Sequence, residues 1–186
     1  MPYFPRFLSP TLIGLALIAP SVRAEEAIQP PFGLEWEVGG RELEAKVLAA
    51  NAKIAERKRT IDGEIWTVEA LPQAALQRAI FTLKDDSLVE VELQYSAPDW
   101  DIWTYDEFMH RVRTNLDSRF GTGRQVARKR DDAAVMQTLV GYTWKVSGRL
   151  LELVYFAAQD EKNAVRVVSL HYKMGQVEKP GRLAKD

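Results

Sequence analysis

The stretch WDIWTYDEFMHRVRTNLDSRFG, residues 100–121, sets the reading of the whole chain. Thr104 suits an N-cap, and Glu107 follows three residues on, which is the spacing of a capping box. Trp103 and Phe108 flank that cap as a hydrophobic staple, and Phe108, Val112, Leu116 and Phe120 recur at helical spacing. Gly121 stands where a helix is ended by a left-handed residue. The stretch is therefore expected to be a helix with a defined start and stop.

Upstream, residues 1–24 have the pattern of a secretory signal: Arg6, an apolar run from Leu12 to Ala19, Pro20, and small residues at Val22 and Ala24. The apolar run is too short to cross a bilayer, so no stable membrane insertion is expected once the signal is removed near Ala24. The expected location is periplasmic or secreted. The signal carries Arg6 and Arg23 and no acid, so the 25 basic residues fall to 23 against 26 acids on cleavage. That balance gives no basic footprint for nucleic acid. The chain has no cysteine, which excludes disulfides, thiolate chemistry and lipoprotein anchoring.

Residues 25–31 are expected as a flexible lead-in, 32–174 as an α+β domain, and 175–186 as a mobile tail. A first helix is expected from Arg41 to about Asn51, with Leu43, Val47 and Ala50 on one face. Lys53 to Arg59 reads as a frayed helix end or a solvent-facing edge strand. Strands follow at Glu64–Ala70 and Arg78–Leu83, with a polar turn at Lys84–Ser87. Leu88–Tyr95 is the clearest strand, with Val89, Val91, Leu93 and Tyr95 alternating with Glu90, Glu92 and Gln94. Beyond the helix, Arg124–Arg130 reads as a basic edge strand turned by Asp131-Asp132. Gln137–Val146, Leu150–Ala157 and Ala164–Lys173 are further strands, with a tight turn at Ser147-Gly148 and a polar one at Gln159–Asn163.

The halves 32–98 and 99–174 share one order of elements: apolar lead-in, helix, then three or four strands. Val91-Glu-Leu93-Gln-Tyr95 parallels Val168-Ser-Leu170-His-Tyr172, and Trp66 parallels Trp144. Half-buried strands look alike in any protein, so the shared order is the stronger sign of a tandem repeat. The fold class expected is α+β, an antiparallel sheet with two main helices on one face.

Phe32-Gly-Leu-Glu-Trp36, the Leu71-Pro72 step, the strand to Tyr95 and the helix end Leu116–Gly121 resemble a loose group of exported bacterial proteins with an F-G-apolar-x-W opening. Glu37-Val38-Gly39-Gly40 departs from that group's Gly-Met-Ser/Thr continuation. The inferred architecture also resembles beta-lactamase-inhibitor-protein-like and SmpA-like helix-plus-sheet modules. The resemblance implies protein binding and transfers no functional residues.

No catalytic motif stands out. Glu107 and His110 make an E-x-x-H on a helix, but a di-iron site requires a second copy and further carboxylates. Asp99, Asp101, Asp106 and Glu107 lack the pattern of a calcium loop and suit a helix N-terminus. His110 and His171 are the only histidines, and neither a serine elbow nor a phosphate loop occurs. No metal or cofactor is expected. The leading expectation is a non-catalytic module binding another envelope protein, through Gln94 and His171 on the sheet face or through the rim Asp99, Trp100, Asp101 and Trp103. The alternatives are an enzyme whose acidic groups and histidine converge in space and a small-ligand carrier lined by tryptophans.

Overall fold

The computed structural model describes residues 26–132, 135–159 and 164–175. The expected signal peptide and residues 176–186 of the expected tail lie outside these, as do 160–163 of the turn after Gln159. The chain is α+β, as its patterning implied. Helix α1 (Gly40–Ala49) precedes strands β1 (Lys53–Arg59), β2 (Gly63–Glu69), β3 (Leu76–Lys84) and β4 (Ser87–Tyr95). Helix α2 (Ile102–Phe120) precedes β5 (Arg124–Asp132), β6 (Val135–Val146), β7 (Arg149–Gln159) and β8 (Ala164–Lys173). All pairs are antiparallel in one sheet of order β1-β2-β3-β4-β8-β7-β6-β5. The two basic strands, β1 and β5, are the two edges, where charge discourages further pairing.

The β3–β4 and β6–β7 hairpins are tight because their turn residues accept positive φ. Ser147 and Gly148 sit at φ 50° and 77°, and Asp85 and Asp86 at 48° and 61°. Asp86 does a second job: its Oδ1 accepts from the Gly40 amide at 3.0 Å and so caps α1 from the β3–β4 turn. Asp131 and Asp132, expected to turn the chain, instead pair with Met136 and Val135 inside the β5–β6 ladder.

The core lies between the sheet and the helices. Trp66, Phe81, Val91, Leu93, Leu151, Leu153, Trp144 and Leu170 point to the helix side, where Leu43, Val47, Tyr105, Met109 and Leu116 meet them. Ile28, in the expected flexible lead-in, is fully buried, and its carbonyl accepts from Trp36 Nε1 at 3.0 Å and Arg149 Nη1 at 3.2 Å. The alternation expected for β4 is broken once. Thr82 pairs with Glu90 but Leu83 with Leu88, so Val89 is the extra residue of a bulge. The bulge lets Leu88 and Val91 both enter the core, where plain alternation would have placed Val89.

Helix α2 starts earlier than its sequence suggested. Asp101 is the N-cap, extended at φ −86° and ψ 178°, and its Oδ1 accepts from Thr104 N at 2.8 Å and Thr104 Oγ1 at 2.7 Å. Asp101 and Thr104 are both good caps three residues apart, and the anionic oxygen serves the positive helix end better. Thr104 becomes a donor to the cap, Glu107 is exposed, and Trp103 is 75% exposed in the first turn, so neither capping box nor staple forms. The buried stripe is Tyr105, Met109 and Leu116, with Phe108, Val112 and Phe120 partly covered beside it. Gly121 ends the helix at φ 80°, with ψ −178° rather than the left-handed helical value. Asp117 then ties the helix end to the sheet, its Oδ1 accepting from Gly123 N at 2.8 Å and from Trp144 Nε1 at 3.1 Å. Gly123 lies so close under the indole that an added Cβ would stand 2.6 Å from it.

Two outcomes are expected in urea unfolding. Leu93→Ala at the centre of the core lowers stability by about 2–5 kcal/mol, whereas Leu48→Ala, 61% exposed on α1, leaves it nearly unchanged. Asp101→Ala lowers the midpoint while Glu107→Ala does not; the reverse order would restore Thr104 and Glu107 as the cap.

Candidate interaction surface

Both helices pack on one side, so the other side of the sheet has no covering layer among the described residues. Alternation decides what it displays. Strand β4 contributes Glu90, Glu92 and Gln94, β8 contributes Ser169, His171 and Lys173, and β7 contributes Glu152, Val154 and Phe156. Gln94 and His171, singled out in the sequence, share this face on adjacent central strands.

The register makes a charge network of them. His171 stands directly opposite Glu92 on β4 and opposite Glu152 on β7. Its Nε2 lies 3.2 Å from Ser169 Oγ and 3.7 Å from Glu92, and its Nδ1 lies 3.6 Å from Glu90. That Nδ1 is buried and has no hydrogen-bond partner among the described residues. Lys173 donates to Glu152 and lies 3.7 Å from Glu90. Gln94 donates to Glu92 at 2.6 Å and accepts from Arg78 Nε at 2.6 Å. The network is half-sheltered by the neighbouring side chains, so its charges are screened less than isolated surface pairs.

His171 beside Glu90 holds that carboxyl below its ordinary 4.5; burial opposes the shift and Lys173 adds to it. Burial disfavours the charge on Lys173, but Glu152 and Glu90 outweigh it and raise its pKa. Glu90, Glu92, Glu152 and Lys173 were not singled out in the sequence. The only available signal was the run of alternating acids on β4, since their partners lie on two distant strands.

The rim residues go elsewhere. Asp101 is spent on the helix cap, and Asp99 is exposed in the linker before it. Trp100 is half-buried, edge-on to Tyr105 at 5.0 Å and tilted over Phe108 at 5.0 Å. Trp103 is on neither that stack nor the open face. With Ile102, Tyr105, Met109, Val140 and Tyr155 it borders an apolar groove of about 480 Å³ between α2 and the sheet. Glu107 and His110 are exposed on α2, and Asp99, Asp101 and His110 do not converge on one buried point. Gln94 and Trp100, from the two surfaces separated in the sequence reading, line one cleft of about 550 Å³ where β4 leaves the sheet. No helix among the described residues is long and apolar enough to cross a membrane.

The lowered Glu90 pKa carries a pH dependence with a definite sign. A carboxyl whose folded pKa lies below its unfolded value adds stability above the unfolded value, and loses it as the pH falls through the folded one. Stability is therefore expected to drop on acidification below about pH 4.5. Glu90→Gln should be less stable at pH 7 and should show a shallower acid limb in urea titrations. Parallel acid limbs in the two proteins would remove Glu90 from the network.

No family model, curated protein or solved structure matches this chain.

Proposed function

We propose that this chain is a non-catalytic protein-interaction module of the bacterial envelope, exported by cleavage near Ala24, whose contact surface is the uncovered sheet face. One observation carries the reading. An eight-stranded sheet keeps its helices on one side and displays on the other a network centred on His171, flanked by the apolar side chains Val154, Phe156 and Val167. A non-obligate contact surface is about as apolar as the rest of a protein's exterior and carries hydrogen-bonding groups among its apolar side chains, so a mixed face with no covering layer supports this reading. The tandem-repeat reading belongs to the same proposal. It is supported by the register in which Leu93 faces Leu170, with Val91–Tyr172 and Val168–Tyr95 lying symmetrically about that pair. A small-ligand carrier is the second reading, favoured by the aromatic groove beside Trp103.

The test is site-specific photo-crosslinking in a producing bacterium. A photoreactive residue at Thr82 or Val154, on the open face, is expected to give discrete adducts with an envelope protein. The same residue at Leu48, on the helix side, is expected to give none. If no open-face position yields an adduct, while the purified chain retains a stoichiometric apolar molecule that Trp103→Ala releases, the carrier reading replaces the interaction reading.

A further inference from the structure

Strand β8 is longer than the partner it is given on one side. It pairs with β7 along its whole length, Ala164 to Lys173, but with β4 only from Val168 to Lys173. Strand β4 ends at Tyr95 because the chain is pulled away: Ser96 N donates to Ala75 O at 3.0 Å, and Ser96 Oγ meets the Tyr105 hydroxyl at 2.8 Å. Pro98, two residues on, has no amide to give to a ladder. The first four residues of β8 thus border a notch inside the sheet, which is the cleft of about 550 Å³.

The corresponding notch in the other half is filled. About the Leu93–Leu170 pair, and counting past the bulge at Val89, Leu88 on β4 holds the position that Arg166 holds on β8. Leu88 N donates to Val38 O at 3.0 Å, its carbonyl accepts from Glu37 N at 3.0 Å, and Gly39 bridges Ser87. The extended segment that leads into α1 therefore serves as the missing length of strand. The segment that leads into α2 does not. At Arg166 only the carbonyl is met, by the Tyr105 hydroxyl at 3.1 Å. Since that carbonyl points into the notch, strand alternation sends the Arg166 amide there too, where no acceptor lies among the described residues.

We infer that the notch beside Ala164–Val167 accepts an extended acidic peptide segment of a partner protein, which adds to β8 as a strand. This rests on the interaction reading and supplies its partner chemistry. The geometry is that of strand addition, in which main-chain bonds give affinity and alternate side chains give selectivity. Toward the open face the segment meets Val165, Val167 and Phe156; toward the helices it meets Trp100. The charged groups lining the cleft among the described residues are Arg78 and Arg166, with no carboxylate, so acidic side chains fit and basic ones do not. The outer edges of the sheet are basic strands that need no such partner, and Val165, 58% exposed, marks this inner edge as the apolar one.

The test uses the purified full-length chain and a fluorescein-labelled eight-residue peptide alternating valine with glutamate. Saturable anisotropy binding is expected, together with slowed hydrogen exchange at the Arg166 amide. The lysine analogue and an analogue with a central proline should bind at least tenfold more weakly. Val165→Lys, at an exposed position, should weaken the acidic peptide about tenfold while leaving the unfolding midpoint unchanged, and Arg78→Gln should weaken it similarly in a chain that still unfolds cooperatively. The inference is overturned if the proline analogue binds equally, if protection falls on β1 or β5, or if the Arg166 amide of the free chain is already protected and loses protection when residues 176–186 are removed. In that last case the chain's own tail is the occupant. Adducts from Thr82 in the unsubstituted chain, with no peptide binding by that chain, would sink the notch and leave the open-face reading standing; absence of both would remove both.

Discussion

Six residue pairs between β4 and β8 hold the two four-stranded halves in one sheet, and the other features follow from their register. On the helix side the pairing sets Leu93 against Leu170, with Val91–Tyr172 and Tyr95–Val168 on either side. On the other side it sets Glu92 against His171 and Glu90 against Lys173. A slip of one residue would exchange the two sets, burying charges under the helices and exposing leucines. Both faces therefore specify the same register, one through apolar burial and one through opposite charges, each cross-strand pair adding a few tenths of a kcal/mol to about 1 kcal/mol.

With the junction at the centre, the basic strands β1 and β5 fall at the outer edges, and α1 and α2 fall on the same face. The uncovered face is the direct consequence. So is the concentration of charge at its middle, where three strands meet and solvent screening is least. The same near-symmetry exposes one difference between the halves. The lead-in to α1 carries backbone donors and acceptors along β4, whereas the lead-in to α2 is diverted by Ser96, capped by Asp101 and stacked through Trp100. The second segment is occupied in starting its helix, and the edge it would otherwise cover stays open.

Much of the fold was legible along the chain because its signals are local. Strand β8 has the predicted bounds, the Ser147-Gly148 turn closes its hairpin with both residues at positive φ, and Leu43 and Val47 bury the expected face of α1. The misreadings are equally local. Two competent caps three residues apart allowed two helix starts, and only the backbone geometry selects Asp101 over Thr104. The bulge at Val89 has no glycine or proline to announce it; it exists because Leu88 and Val91 both fit the core.

The sequence by itself determined the elements, the class and the composition of each strand face, since period and turn chemistry act over a few residues. It also put Gln94 and His171 forward as polar positions on half-buried strands. Only the tertiary structure decided that they lie side by side, that Glu90, Glu92, Glu152 and Lys173 join them, and that Trp103 stands apart from Trp100. These groups come from strands far apart in the chain. Their meeting is fixed by strand order and register, which depend on which apolar faces bury each other and not on the identity of the polar residues carried along.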